Sequence, residues 1–201
     1  MTALLSLAAC TLAIFAFLGL TFARKPFVLV DRAGSGLSGK LTSLAVIFTR
    51  SGYKLQLTSF AIFGTLIALA LHTDVRIPLL LILTQMLGQV SSDAAKRYVA
   101  RLRPEVWHFR EELGFAYPSG HAVTGIVFYV GWACLAWSWP LTIAVRTALI
   151  AAACAWALGI GWSRLSLGAH RTTDVLGGYA LGCTWLCLFL VITQAAHRGI
   201  R

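Results

Sequence analysis

The chain has 201 residues, of which 58% are hydrophobic and only 12% are charged, and its mean hydropathy is +0.78. Soluble domains carry about 25% charged residues, and disordered chains are polar and poor in aromatic residues. This composition excludes both a soluble globular domain and a disordered chain. It indicates an integral membrane protein.

The net charge is +10, from 17 lysines and arginines against 7 aspartates and glutamates. On a soluble protein, such a balance favours nucleic acid as the partner. Here the cations lie in polar segments beside apolar runs, where they would meet anionic lipid headgroups or a phosphorylated substrate. We therefore expect membrane lipids and a phosphorylated lipid as partners, and no nucleic acid.

Six apolar runs approach the length of about 20 residues that a membrane-crossing helix needs. The residues from Ala122 to Ser163 are too many for one crossing, and Pro140 divides them because proline fits a helix start better than an interior. The predicted fold is all-α, a single domain over residues 1–201 that forms a polytopic bundle of six transmembrane helices. The first run could instead be a signal peptide, but no basic segment precedes it, so we count it as a span. The runs are Met1–Ala23, 55–73, Ile77–Ser92, 122–139, 140–163 and Val175–Ala196.

A basic segment, Arg24–Lys54, follows the first run. Its second half, Leu41–Tyr53, has the pattern of an amphipathic helix that lies on the membrane surface. The stretch Gly34-x4-Gly39-Lys40 has the spacing of a P-loop, but Leu41 replaces the serine or threonine that binds magnesium and no strand precedes it. We interpret it as a glycine-containing loop.

Two polar segments, 93–121 and 163–174, carry the candidate chemistry. The residues between them suffice for one helix across the membrane and one back, so both segments should lie on one face. Lys96, Ala100 and Arg103 are spaced for one helical face, where two cations would clamp an anion such as phosphate. A basic stretch that only contacts lipid headgroups explains the same residues.

Two of the three histidines in these segments lie in local patterns that indicate chemistry. Ser119, Gly120 and His121 open the fourth run, where serine caps a helix, glycine lets a ligand approach and exposed amides attract an anion. His170 precedes Asp174 by one helical turn, so the carboxylate can orient the imidazole and make its other nitrogen a nucleophile. An ordinary capped helix start and a helix-capping histidine–aspartate pair are the non-catalytic alternatives.

Three patterns combine these residues in chain order: Lys96-x6-Arg103-Pro104, Pro118-Ser119-Gly120-His121 and Ser163-Arg164-x5-His170-x3-Asp174. They resemble the three signatures of the type 2 phosphatidic acid phosphatase superfamily. The resemblance covers residues 75–195 and leaves the N-terminal third unmatched. It implies a six-span membrane enzyme that acts on lipid phosphates.

The resemblance also implies a role for each matching residue. His170 would attack phosphorus and form a phosphohistidine, Asp174 would orient it, and His121 would protonate the leaving oxygen and later activate water. We expect no metal and no cofactor, because cations replace the metal and carboxylates are few and scattered. The phosphoryl oxygens would be held by Lys96, Arg103, Ser119, Gly120 and Arg164.

The substrate is expected to be a lipid, because the polar face has no soluble domain that could gather water-soluble substrates. Undecaprenyl diphosphate is the predicted substrate, and phosphatidylglycerophosphate, phosphatidic acid and lipid A phosphates stay open. A lipid phosphotransferase would pass the phosphoryl group to another lipid. A non-enzymatic transporter or scaffold is disfavoured, because the spans contain few ionisable residues.

The side of the membrane that the candidate site faces is predicted from conflicting evidence. Lysines and arginines are concentrated on the face of the site, which the positive-inside rule places in the cytoplasm. Several of them are assigned to the substrate, and those in residues 24–54 can lie along the interface. Resemblance to bacterial members implies an inner-membrane protein whose site faces the periplasm, and we adopt this orientation.

Three further features have ordinary explanations. Gly178-x3-Gly182 in the last run predicts close helix packing. Cys183 and Cys187 would share a helix face as small buried residues. His108 is expected to be a solvated loop histidine.

Overall fold

The protein was studied as a computed structural model that describes residues 1–22, 29–104 and 112–199. Within these residues the chain forms helices and no strand. Helices α6 and α7 are joined by a π-helical stretch, Gly125–Val130, and α1 continues into another, Leu18–Phe22. The α-helices are α1 (Thr2–Phe17), α2 (Leu29–Ser35), α3 (Thr42–Ser51), α4 (Lys54–Ala70), α5 (Arg76–Val99), α6 (Gly120–Thr124), α7 (Gly131–Leu135), α8 (Ile143–Ser166) and α9 (Thr172–Gly199).

The predicted all-α membrane architecture is confirmed, but the number of six spans is not. In the part of the chain that the structure describes, α3 and α4 together form a candidate span that is bent by 55°. Helix α5 has sufficient length, but Asp93, Lys96 and Arg97 make its last turns strongly polar. Four stretches are long and apolar enough on their own: Thr2–Phe22, Gly120–Ser138, Ile143–Ser166 and Thr172–Ala195.

The break predicted at Pro140 is present. A 3-10 turn, Ala136–Ser138, follows α7, and α8 begins at Ile143. The hydroxyl of Thr142 accepts a hydrogen bond from the backbone N–H of Val145 at 3.4 Å, as an N-cap residue does. The long apolar run is therefore two helices that return the chain to the side it left.

Helix α5 ends earlier than the sequence pattern predicted. Ala100 adopts the left-handed conformation, with φ of 51°, and its N–H donates to the carbonyl of Lys96 at 2.8 Å. The chain leaves the helical path at this residue. The prediction that Lys96, Ala100 and Arg103 share one helical face is wrong, because Arg103 lies beyond the helix.

Helix α9 packs against α1, α5 and α6 around a core that includes Leu81, Val127 and Phe189. A Cβ atom on Gly178 would lie 2.5 Å from the carbonyl oxygen of Ser119. Glycine at this position lets the start of α6 touch the second turn of α9, which confirms the close packing predicted for the Gly178 motif. The contact brings the second signature against α9, the helix whose first turn contains Asp174 of the third signature.

The N-terminal third is part of the same bundle. Helix α3 lies within the predicted amphipathic segment Leu41–Tyr53 and buries one face against α8. The Phe48 ring lies 4.6 Å from that of Trp156 and 6.1 Å from that of Trp162, measured between centroids. Because α8 leads directly into the third signature, α3 is held next to the candidate site.

Candidate active site

The polar segments meet at one end of the bundle, as predicted for their described residues 93–104, 112–121 and 163–174. The N–H of Ser119 donates to the carbonyl of Asp174 at 2.9 Å, and the N–H of Ala116 donates to that of Arg101 at 2.8 Å. These bonds fix the second signature between the first and the third. His108, which was expected to be a solvated loop histidine, lies outside the described residues.

His170 lies in a tight loop between α8 and α9. The backbone N–H groups of Ala169 and His170 both donate to the carbonyl of Arg164, and Gly168 supplies the positive φ of 70° that the turn requires. The His170 side chain is buried. Burial, together with the neighbouring Arg164 and Arg103, lowers the pKa of His170 to about 4 against the opposing effect of Asp174. The imidazole is therefore neutral near pH 7, the form that can act as a nucleophile.

The two His170 ring nitrogens have different neighbours. Nε2 lies 3.4 Å from the Arg103 guanidinium, which also donates to the Ala169 carbonyl at 2.8 Å. Nδ1 lies 3.8 Å from Oδ2 of Asp174. This separation is longer than a hydrogen bond, so the direct bond predicted between the two side chains is not formed. His170 precedes α9 and is not part of its first turn, and Oδ2 already accepts the backbone N–H of Arg171 at 2.8 Å.

Asp174 is held by an arginine that the sequence analysis did not assign. Arg101, itself buried, donates to Asp174 at 2.5 Å, to Thr173 at 2.6 Å and to Asp31 at 2.8 Å. Asp31 lies on α2 and also accepts the N–H of Thr173 at 3.0 Å. A pair of buried carboxylates thus shares one guanidinium, and the unmatched N-terminal third supplies one of them. The only indication in the sequence was that the first signature contains arginines beyond the one its pattern requires, Arg101 among them.

Arg164 is the most deeply buried cation among the described residues, with 1% of its surface exposed. It donates to the hydroxyl of Thr49 on α3 at 2.5 Å and to Glu112 at 2.7 Å. Its Nε has no hydrogen-bond partner within the described residues. A buried guanidinium whose donors are not all used is suited to bind an anion.

The start of α6 offers further groups to an anion. Ser119 occupies the N-cap position, but its side chain does not cap the helix, and its buried hydroxyl has no partner in the described part of the chain. A Cβ on Gly120 would lie 3.1 Å from Oε1 of Gln89 and 3.5 Å from the Lys96 ammonium. Lys96 also pairs with Asp93 at 3.2 Å. Lys96, Ser119 and Gly120, which are predicted to hold phosphate, therefore lie together here. Arg103 follows the end of α5 and lies beside His170.

His121 lies in the first turn of α6, as predicted, and faces α3. Its ring meets that of Tyr53 edge to face with centroids 5.6 Å apart, and a Cβ on Gly52 would lie 2.6 Å from its Cδ2. Its Nε2 is buried and has no hydrogen-bond partner among the described residues. Lys96, Arg164 and His170 are all within electrostatic reach of it. The site therefore contains two histidines beside a cluster of cations, an arrangement that can transfer a phosphoryl group.

The sequence also matches characterised proteins. A family model described as the PAP2 superfamily matches residues 75–198. Phosphatidylglycerophosphatase B of Escherichia coli is 42% identical over 93 residues, which are 45% of this chain and 33% of that protein. The protein of the same name from Bacillus subtilis is 31% identical over 57% of this chain and 55% of its own length.

A lipid A 1-phosphatase from Rhizobium johnstonii is 31% identical over 77% of this chain and 61% of that protein. The chain thus spans less than two thirds of the length of each of these relatives. A crystal structure of a transmembrane PAP2 type phosphatidylglycerolphosphate phosphatase from Bacillus subtilis has a TM-score of 0.79. It covers 97% of this chain and 98% of that one at 22% identity, so the two share a fold.

Proposed function

The chain belongs to the PAP2 superfamily, and on this basis we propose that it is a membrane lipid phosphatase that uses a phosphohistidine intermediate. The observation that carries the proposal is the position of His170. It is buried and neutral, with Nε2 beside the Arg103 guanidinium and Nδ1 towards Asp174. A neutral imidazole next to a bound anion is a suitable nucleophile for phosphorus.

In the first step, Nε2 of His170 forms a bond to phosphorus while the bond from phosphorus to the leaving oxygen breaks. Protonated His121 donates its proton to that oxygen, so the leaving group departs as an alcohol or a protonated phosphate. Arg103, Arg164 and Lys96 offset the charge on the phosphoryl oxygens, with the Ser119 hydroxyl and the Gly120 amide as further donors. Asp174 offsets the positive charge that develops on His170.

In the second step, His121 takes a proton from water, and the water oxygen attacks phosphorus. The bond from phosphorus to His170 breaks and inorganic phosphate leaves. The His170 imidazole is then neutral again, and His121 carries the proton for the next cycle. No step requires a metal ion or a cofactor. The proposal is a hydrolase and not a phosphotransferase, a distinction that depends on whether water or a lipid attacks the phosphohistidine.

A lipid substrate is supported by the location of the site at one end of an apolar bundle. Undecaprenyl diphosphate remains our predicted substrate. The names of the relatives favour phosphatidylglycerophosphate and lipid A phosphates equally, and phosphatidic acid is a fourth candidate. We also propose an inner-membrane location with the site facing the periplasm, as in the sequence-based prediction.

The proposed function is tested by incubating the purified protein in detergent micelles with these four classes of lipid phosphate and measuring inorganic phosphate. We expect phosphate release without an added lipid acceptor, and its loss in His170→Asn. Phosphate release that requires an acceptor lipid would favour a phosphotransferase. Absence of any transfer or hydrolysis would contradict the enzymatic proposal.

A further inference from the structure

A pocket lies beside the cation cluster, between α3 and the end of α8. Arg164 and Glu112 line one side, and Thr49, Arg50 and Tyr53 line the other. Val46 and Leu167 add apolar surface. The pocket is therefore lined by Arg164, which is predicted to bind phosphate, and by residues that lie outside the three sequence signatures.

The pocket lies next to His121. Tyr53, which lines it, meets the His121 ring edge to face, and Gly52 packs against the same ring. Under the proposed function, His121 protonates the leaving oxygen. Phosphoryl transfer places the attacking and leaving atoms on opposite sides of phosphorus, so the side of His121 is the side on which the leaving group must lie.

The charges of the pocket indicate which leaving group fits. Glu112 is already bound to Arg164 at 2.7 Å. Arg50 is exposed and makes no ion pair with any residue that the structure describes. Among the described residues that line the pocket, Arg50 is therefore the exposed cation without a carboxylate partner, whereas Arg164 is buried and paired with Glu112. A leaving group that carries its own phosphate would pair with Arg50, whereas a diacylglycerol would leave the guanidinium in water.

We infer that α3 forms a leaving-group subsite in which Arg50 selects lipids that retain a second phosphate after the scissile one is removed. The inference rests on the proposed function and narrows its substrate class. Two kinds of lipid have this chemistry: a diphosphate, whose second phosphate is directly attached, and a lipid whose second phosphate is a phosphodiester a few atoms away. Phosphatidic acid and a lipid A 1-phosphate that carries no other phosphate near the scissile bond lack it.

The test compares three substrates in detergent micelles: farnesyl diphosphate, phosphatidylglycerophosphate and phosphatidic acid. The quantity measured is the ratio of kcat/KM for each two-phosphate substrate to kcat/KM for phosphatidic acid. We expect Arg50→Gln to lower this ratio about tenfold for at least one of the two, the scale of a charge-assisted hydrogen bond. Arg50→Lys, which keeps the charge, should retain most of the wild-type kcat/KM ratio.

The matched control is Arg97→Gln, which removes an exposed arginine at the same end of the bundle that does not line the pocket. It should leave the ratio unchanged. An equal change for all three substrates in Arg50→Gln, or an equal fall in the control, would overturn the inference. If the wild-type protein hydrolyses none of the substrates, the proposed function itself fails. Which substrate loses more in Arg50→Gln distinguishes the diphosphate from the phosphodiester.

Discussion

Arg101 donates a 2.5 Å hydrogen bond to Asp174, the carboxylate that lies 3.8 Å from the His170 ring. Its other terminal nitrogen binds Asp31 at 2.8 Å. One planar guanidinium thus connects α2 to the carboxylate beside the proposed nucleophile. This geometry makes Arg101 a positioning residue, since it acts on His170 only through Asp174.

Replacement of Arg101 by lysine tests this role. An ammonium group keeps the charge but lacks the planar fork that bridges two carboxylates. We expect kcat to fall about tenfold while KM changes less than twofold, because Asp174 loses its fixed position and the phosphate ligands remain. The measurement is steady-state kinetics per amount of folded protein, with Arg97→Lys as the control.

An alanine at position 101 is less informative, because removal of one partner from a buried ion pair costs about 3–5 kcal/mol and would unfold part of the sample. Wild-type kcat in a folded Arg101→Lys variant would contradict the positioning role. A rise in KM alone would instead indicate that Arg101 acts on substrate binding.

Gly52 tests the position of His121. An alanine Cβ there would lie 2.6 Å from Cδ2 of His121, so the ring must move. A displacement of about 1 Å in a catalytic group lowers turnover by about a hundredfold. We expect Gly52→Ala to lose most activity on substrates with an alkoxide leaving group and less on substrates with an acidic phenol, which need no protonation.

The matched control is Gly64→Ala on α4. Its Cβ would lie 2.7 Å from the Trp132 ring, far along the chain from the signatures. This variant should lower the unfolding temperature and retain the same activity ratio between the two leaving groups. If Gly52→Ala has the wild-type activity ratio between the two leaving groups, then His121 is not the acid or α3 does not position it.

The sequence signatures predicted which segments meet at the candidate site, because the patterns Pro-Ser-Gly-His and His-x3-Asp are local in the chain. His121, Ser119 and Gly120 lie at the start of one helix, and His170 and Asp174 are separated by three residues. The break at Pro140 was also predictable, since proline acts on its own backbone. The parity of the two crossings between the segments then placed both on one face.

The residues that the sequence did not identify depend on long-range contacts. Thr49, Tyr53 and Asp31 come from the N-terminal third, and each reaches the site only through packing of α2 and α3 on α8 and α9. The early end of α5 was missed because a left-handed alanine has no sequence signal, unlike a glycine. For the same reason, the prediction that Lys96 and Arg103 form a clamp on one helical face was wrong, because Arg103 lies beyond the end of α5.

The pKa of His170 predicts a dependence of stability on pH. The folded protein binds a proton at His170 near pH 4, and the unfolded chain does so near 6.5. Between these values the unfolded state holds more protons, so the free energy of unfolding falls as pH drops from about 6.5 to 4. We expect the unfolding temperature in detergent to fall less over this range in His170→Asn. The same pH dependence in both proteins would contradict a neutral buried imidazole.

The proposed orientation is tested with single cysteines in a variant without the five native ones. Leu113 is 93% exposed at the end that contains the site. His72 is exposed beyond the opposite end of α5, a 24-residue helix about 36 Å long. In intact cells, a membrane-impermeant thiol reagent should label Leu113→Cys and spare His72→Cys. The reverse pattern would place the site in the cytoplasm.

The most direct test of the account is the detection of phosphate on His170 during turnover. Wild-type protein that is mixed with a ³²P-labelled lipid phosphate and quenched within milliseconds should carry acid-labile, base-stable label. The label should be absent in His170→Asn. It should accumulate in His121→Asn when the leaving group is an acidic phenol, because the second step then lacks its base. Turnover by wild type with no histidine-bound phosphate, or normal phosphate release by His170→Asn, would contradict the mechanism.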